Sequence, residues 1–200
     1  RASVRQSLEQ SVEKLDPVAW QIFARKLDHV SMDLSRGEDY ARLGNLIKCN
    51  PAIKDESDRE AIIDALASDI LDVLATDHAP HTLEEKARPY PQSPSGMPGV
   101  QTLVPVMLDH VNAGRLTLQR FIDLTSAGPA RIYNIAGKGR IALGYDADFS
   151  VVDLKKKRTI TNDWMKTKSG WTPFDGMEVT GWPIATIIRG SIVMRDDELI

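Results

Sequence analysis

The 200-residue sequence balances 25 Lys and Arg against 28 Asp and Glu, a net charge of −3, with 42% hydrophobic and 26% charged residues. Such a chain folds as one large domain or two small ones, and the balance excludes a disordered tail or a fibrous repeat. The slight acidity argues against a nucleic-acid or anionic-lipid footprint, and no apolar run reaches the roughly 18–20 residues of a bilayer crossing. One cysteine, Cys49, leaves no internal disulfide, and the chain opens Arg1-Ala2-Ser3 with neither Met nor an apolar stretch behind it. We therefore expect a reducing, cytoplasmic setting, no secretory signal, and a chain that is part of a longer one.

In chain order, residues 1–28 are expected to form two short amphipathic helices. Val4, Leu8, Val12 and Leu15 mark the first, and Asp16-Pro17 opens the second, with Trp20, Phe23, Ala24 and Leu27 as its stripe. Their five basic and four acidic residues fit a packed helical pair better than a DNA-reading one. Ser57-Asp58-Arg59-Glu60 has the form of a capping box, opening a helix with Ile62, Ile63, Leu66 and Ile70 on one side. Leu71 to Thr76 then gives a short apolar strand running into Asp77-His78-Ala79-Pro80-His81. A helix feeding a buried strand that ends in ionisable residues is an α/β unit, whose chemistry sits at the carboxyl ends of the strands.

Residues 88–99 are a Pro/Gly/Ser loop. Helices are expected from Val100 to Val111, after Thr117, and around Pro129. Beyond Gly137 the texture turns β-like: Ile141 to Leu154, Thr159 to Thr161, and Pro183 to Met194 split by a hairpin turn at Arg189-Gly190. The expected organisation is a helical segment over 1–37, an α/β part over 38–137 and a sheet-rich part over 138–200. No internal repeat or low-complexity tract is present.

The residues that invite chemistry cluster around Asp77. A carboxylate at the end of an apolar strand is expected to be buried, and burial without a partner is costly, so it calls for a cation, backbone donors or a metal ion. His81, four residues on and past Pro80, faces the same mouth. A carboxylate beside a divalent metal both ligates it and takes a proton from the water the metal acidifies. The bland alternative makes Asp77 a turn cap and His78 and His81 loop surface. Asn50 before Pro51 is held extended, presenting its amide to a ligand or simply forming an Asx turn. Gly96 and Gly99 allow close backbone approach in an otherwise ordinary loop. Lys155-Lys156-Lys157-Arg158 has no aromatic interleaving and is expected to be a solvated turn. Cys49 is expected to be a packed thiol and His110 to pack near a helix surface.

Several runs occur together and in order: Asp39-Tyr40-Ala41-Arg42-Leu43-Gly44, Lys48 to Lys54, Ser57 to Glu60, Ala75 to Thr82, Ser95 to Thr102, Thr125 to Ala130, Lys138-Gly139-Arg140-Ile141 and Gly144 to Phe149. As a set they resemble dihydroorotase of the amidohydrolase superfamily, over roughly residues 38–200. The resemblance implies an α/β fold, the late strands of a partial (β/α) TIM-type barrel with an appended β-sandwich. It implies hydrolysis of the cyclic amide of dihydroorotate to N-carbamoyl-aspartate, a step of pyrimidine biosynthesis, with a small-molecule substrate and no nucleic-acid or membrane partner. By the same resemblance Asp77 binds zinc and shuttles the proton, His81 and Asn50 contact substrate, and Gly96 lies in the loop that closes over it.

The sequence also departs from that family. Its members hold zinc through a His-x-His pair, a carboxylated lysine and two further histidines. No His-x-His occurs here, and His29-Val30-Ser31 stands where a histidine-bearing strand is expected, which makes His29 a candidate displaced ligand. Two other readings stay open: a related cyclic amidohydrolase such as a hydantoinase or allantoinase, or a non-catalytic relative serving as a scaffold, for example for a carbamoyltransferase. An incomplete barrel leaves open edges, so association with a partner or with itself is expected.

Overall fold

Residues 56–89 and 92–200 are described in the computed structural model; the helical pair expected over 1–28, His29, Cys49 and Asn50 lie outside them. The chain divides into two units, Arg1–Tyr40 and Ala41–Ile200, and every described residue belongs to the second.

Helix α1 spans Glu56–Ala67. It starts one residue before Ser57, so Ser57 lies inside its first turn rather than at the expected cap. Leu66 is buried and Ile63 packs against the same core, whereas Ile62 and Ile70 are exposed. The expected four-residue stripe breaks because the helix stops at Ala67 and the chain reverses at Asp69, whose φ is +59°. Arg120 closes this end: its Nε donates to the Leu66 carbonyl at 2.7 Å, its guanidinium also reaches the Leu71 carbonyl, and it pairs with Asp69 at 2.9 Å and Asp123 at 3.1 Å. A cation on the last carbonyls of a helix is favourably placed against the helix dipole.

Residues 71–76 carry no regular secondary structure where a strand was expected. Parallel pairing needs a neighbouring strand, and among the described residues the segment finds one isolated parallel bridge, His78 to Met97. Its backbone is held instead by Leu74 N–H donating to the Leu124 carbonyl at 3.0 Å. Short helix α2, Leu83–Lys86, follows with the capping box that the sequence reading placed elsewhere: Glu85 N–H donates to Thr82 Oγ1 at 3.2 Å and Thr82 N–H to Glu85 Oε2 at 2.9 Å.

Helix α3 spans Leu103–Asn112, close to the expected bounds. Thr117 caps α4, Leu118–Ile122, by accepting from Arg120 N–H at 3.1 Å, and a π-helical turn, Asp123–Ala127, leads into α5, Gly128–Ile132, with Pro129 in its first turn. Gly128 is required there, because a Cβ would lie 2.7 Å from the carbonyl oxygens of both Asp123 and Asp72.

The carboxyl-terminal residues build one four-stranded antiparallel sheet in the order β1-β2-β3-β4, comprising β1 (Phe149–Thr159), β2 (Glu178–Ile188), β3 (Ser191–Arg195) and β4 (Glu198–Leu199). Residues 141–148, expected to be β-like, are turns and irregular chain. The hairpin turn falls at Arg189-Gly190 as expected, with φ of +49° and +82°. A two-residue turn with both central φ values positive matches the right-handed twist of its strands. The basic run is not a solvated turn: it lies inside β1 at a register shift, where Asp153 Oδ1 accepts from Lys155 N–H at 2.9 Å and Lys156 N–H at 3.1 Å, and Arg158 pairs with Asp197.

Helix α3 and strand β2 pack together. Leu108 is fully buried with Met107, Leu116, Phe121, Leu124 and Leu66, while Ile160, Val179 and Trp182 form a second cluster that Val106 joins. Gly181 makes this approach possible, since a Cβ there would sit 2.5 Å from the Leu108 Cβ. Asn112 Nδ2 donates to the Thr180 carbonyl at 2.8 Å and Thr180 N–H to Asp109 Oδ1 at 3.0 Å, so the helix carries polar as well as apolar ties to the sheet. No helix among the described residues is long and apolar enough to cross a membrane.

Candidate functional site

Two limbs of irregular chain meet around the residues singled out above. The first runs from Asp77 to Thr82, the second from Ser93 to Gln101. His78 joins them. Its Nδ1 accepts from the backbone N–H groups of Gly99 at 3.0 Å and Val100 at 3.3 Å, which places the ring proton on Nε2 when the imidazole is neutral. Ala79 N–H donates to the Met97 carbonyl at 3.1 Å. The limbs can lie this close because of Gly96, at φ +116°, where a Cβ would stand 2.6 Å from the Ala79 oxygen. Lys86 stiffens the second limb by donating through Nζ to the carbonyls of Pro94 at 2.8 Å and Gly96 at 3.1 Å.

Asp77 occupies the left-handed region, with φ +44°. Asp is among the few side chains that enter it readily, and the turn swings the chain from the preceding segment into the His78 clamp. Its side chain is exposed, against the expectation of burial. The physical reason is the one that left the segment without a ladder: no neighbouring strand flanks it among the described residues. His81 lies half-buried four residues on, with Nδ1 3.6 Å from Glu85 Oε2. The Glu85 carboxyl is held below its ordinary range, first by the backbone N–H of Thr82 and further by the Thr82 hydroxyl and His81.

Beside the second limb lies a cavity of about 220 Å3 with mostly apolar walls, bounded by Thr76, Met97, Gly99, Val106 and Phe174 among others; Asp77, His78, His81 and Gly96 do not line it. It offers room for a small ring. His110 is half-buried on α3, away from these limbs in sequence, and burial with the nearby Arg115 pushes its pKa down.

The structure thus brings Asp77, His78, His81 and the Gly96 loop into one neighbourhood; Asn50 is outside the described residues. Sequence reasoning missed three contributors. His78 has no role in the sequence reading beyond loop surface in the bland alternative, Glu85 carries its signal in the Thr-x-x-Glu spacing, and Trp171, whose indole N–H donates to the His81 carbonyl at 2.7 Å, carries none. Catalytic zinc sites take three protein ligands, and the described residues contain no group of three or more His, Cys, Asp or Glu arranged to hold an ion. Asp77 alone, exposed, does not make such a site.

Comparison with known proteins gives a consistent set of relatives. The sequence profile described as "Amidohydrolase family" matches residues 14–193. The chain is 43% identical over 198 residues to a dihydroorotase of Pyrococcus abyssi, covering 99% of this chain and 46% of the relative. It is 39% identical over 197 residues to a dihydroorotase of Methanosphaera stadtmanae, covering 98% and 44%. Among solved structures, an L-hydantoinase (dihydropyrimidinase) from Arthrobacter aurescens superposes with a TM-score of 0.74 at 30% identity, over 84% of this chain and 38% of that one. A D-hydantoinase (dihydropyrimidinase) from Thermus sp. gives 0.73 at 30%, over 78% and 35%. The chain therefore spans less than half the length of the curated relatives it matches.

Proposed function

The chain belongs to the amidohydrolase family, and from that premise we propose that it is the carboxyl-terminal part of a dihydroorotase-type hydrolase, interconverting dihydroorotate and N-carbamoyl-aspartate. The observation that carries the reading is the meeting of the Asp77 to Thr82 limb with the Gly96 loop through His78, with Met97 and Gly99 of that loop lining a ring-sized cavity.

In this reading Asp77 handles the proton. Its carboxylate accepts a proton from the attacking water as the new carbon–oxygen bond forms, then returns it to the ring nitrogen as the carbon–nitrogen bond breaks, leaving a carboxylate and a terminal ureido NH2. His81 and Asn50 hold the substrate carboxylate or ring. The Gly96 loop closes over the opposite side. A zinc ion, which the resemblance implies, needs ligands beyond Asp77, and the described residues do not supply them.

The fold assignment follows the same line: residues 38–137 as the late part of a (β/α) barrel and 138–200 as a contribution to a β-sandwich. A cytoplasmic location and self-association, or association with a carbamoyltransferase, belong to this proposal. The substrate is tested with the protein at its full encoded length, assayed against dihydroorotate, a 5-substituted hydantoin and allantoin. Preferential turnover of dihydroorotate is expected. Turnover of the hydantoin instead would move the assignment towards the hydantoinases that superpose on the chain, and no turnover of any ring would leave a scaffold.

A further inference from the structure

The carboxyl-terminal region does more than pack against α3, because one of its loops touches both limbs of the candidate site. Trp171 donates its indole N–H to the His81 carbonyl at 2.7 Å, across 90 residues of sequence. Gln101, at the end of the second limb, donates through Nε2 to the Trp164 carbonyl at 2.9 Å and accepts at Oε1 from the Lys166 N–H at 2.8 Å. The loop that makes these contacts is itself stapled. Asn162 Oδ1 accepts from Thr172 N–H at 2.8 Å, Asn162 N–H donates to Asp175 Oδ1 at 2.8 Å, and Trp164 donates its indole N–H to Asp197 at 2.9 Å.

We infer that residues 162–172 form a clasp that sets the spacing of the two limbs, with Trp171 and Gln101 as positioning residues for substrate held by His81 and the Gly96 loop. The inference rests on the hydrolase reading above. The limbs have little regular structure of their own, and a binding loop without a ladder takes its geometry from the scaffold it touches. Neither anchor belongs to the two buried apolar clusters, so removing one loosens a limb without opening the core.

The test uses two near-isosteric variants in the full-length protein. Trp171→Phe keeps a ring and deletes the donor; Gln101→Met keeps length and deletes both hydrogen bonds. KM for dihydroorotate is expected to rise about five-fold in Trp171→Phe, the worth of one hydrogen bond, and further in Gln101→Met, which loses two, with kcat changed less than about two-fold and the thermal midpoint held. Amide exchange is expected to quicken at 78–82 in Trp171→Phe and at 97–101 in Gln101→Met. Unchanged exchange at those amides in both variants overturns the clasp, as does an equal fall in kcat with KM held. Should one variant fail to fold, the other decides. If the unmodified protein turns over no cyclic amide, the hydrolase reading fails, and the exchange measurement still decides whether the clasp exists.

Discussion

Asp77 and Gly96 show how much of the site depends on backbone conformations that few residues accept. Asp77 sits at φ +44° and Gly96 at φ +116°; the first is tolerated by Asp, the second only by glycine at ordinary cost. Gly96→Ala adds a Cβ that must displace the Ala79 backbone, so the limbs part. The expected result is a loss of about 10²-fold in kcat/KM with the global unfolding midpoint little altered, measured by steady-state kinetics beside a thermal scan. His110 provides a pH-dependent outcome at the same scale. Burial first, and then Arg115 and Arg59, lower its pKa from the ordinary 6.5, with Asp109 opposing, and its Nδ1 faces the Arg115 guanidinium at 3.3 Å. The unfolded chain therefore binds the proton at a higher pH than the folded one. Its contribution is fully present above 6.5 and is lost as pH falls through the lower folded value. His110→Gln is expected to flatten the fall in urea midpoint on acidification below 6.5; an unchanged slope would contradict this.

At the scale of elements, the turn between β3 and β4 is held by its side chains. Asp197, at φ +69°, accepts from the indoles of Trp164 at 2.9 Å and Trp182 at 3.1 Å and pairs with Arg158, whose guanidinium lies 4.6 Å from the centre of the Trp182 ring. Burial alone would raise its pKa, but the two indole donors and the Arg158 guanidinium outweigh it and hold the carboxyl low. Asp197→Ala strands two indole donors and is expected to cost about 2–4 kcal/mol, measured by chemical denaturation; a change below the error of the method would contradict the hub. None of this was legible beforehand, because the hub joins residues up to 39 positions apart and its turn, Asp196-Asp197, lacks the glycine that marked Arg189-Gly190. The hairpin and the helices at Leu103–Asn112 and Pro129 were legible because local chemistry dictates them. The run before Asp77 is the opposite case: its mostly apolar residues describe a strand, but a strand also needs a partner, which pattern alone cannot supply. The Asp77 to His81 and Gly96 set was legible as motifs, whereas the anchors on it, His78, Gln101 and Trp171, are tertiary.

At the scale of the whole molecule, apolar side chains lie uncovered over a wide surface. Ile141 is 88% exposed, Ile70 72% and Tyr133 69%, and Leu143 has no cover at all. Exposure on this scale marks a surface that binds something, and it accompanies a chain spanning less than half of its relatives. The 200-residue chain by itself is therefore expected to bind a hydrophobic dye and to elute from gel filtration in a concentration-dependent manner; a dye-silent, concentration-independent monomer would contradict that. The account stands on Asp77 moving the proton in ring opening and closure. Its most direct test is the turnover of dihydroorotate by the full-length protein with Asp77→Asn, which keeps the side-chain shape and the left-handed backbone but removes the base. A fall in kcat of about 10²–10⁴-fold with an unchanged thermal midpoint is expected, and retention of wild-type turnover would contradict it.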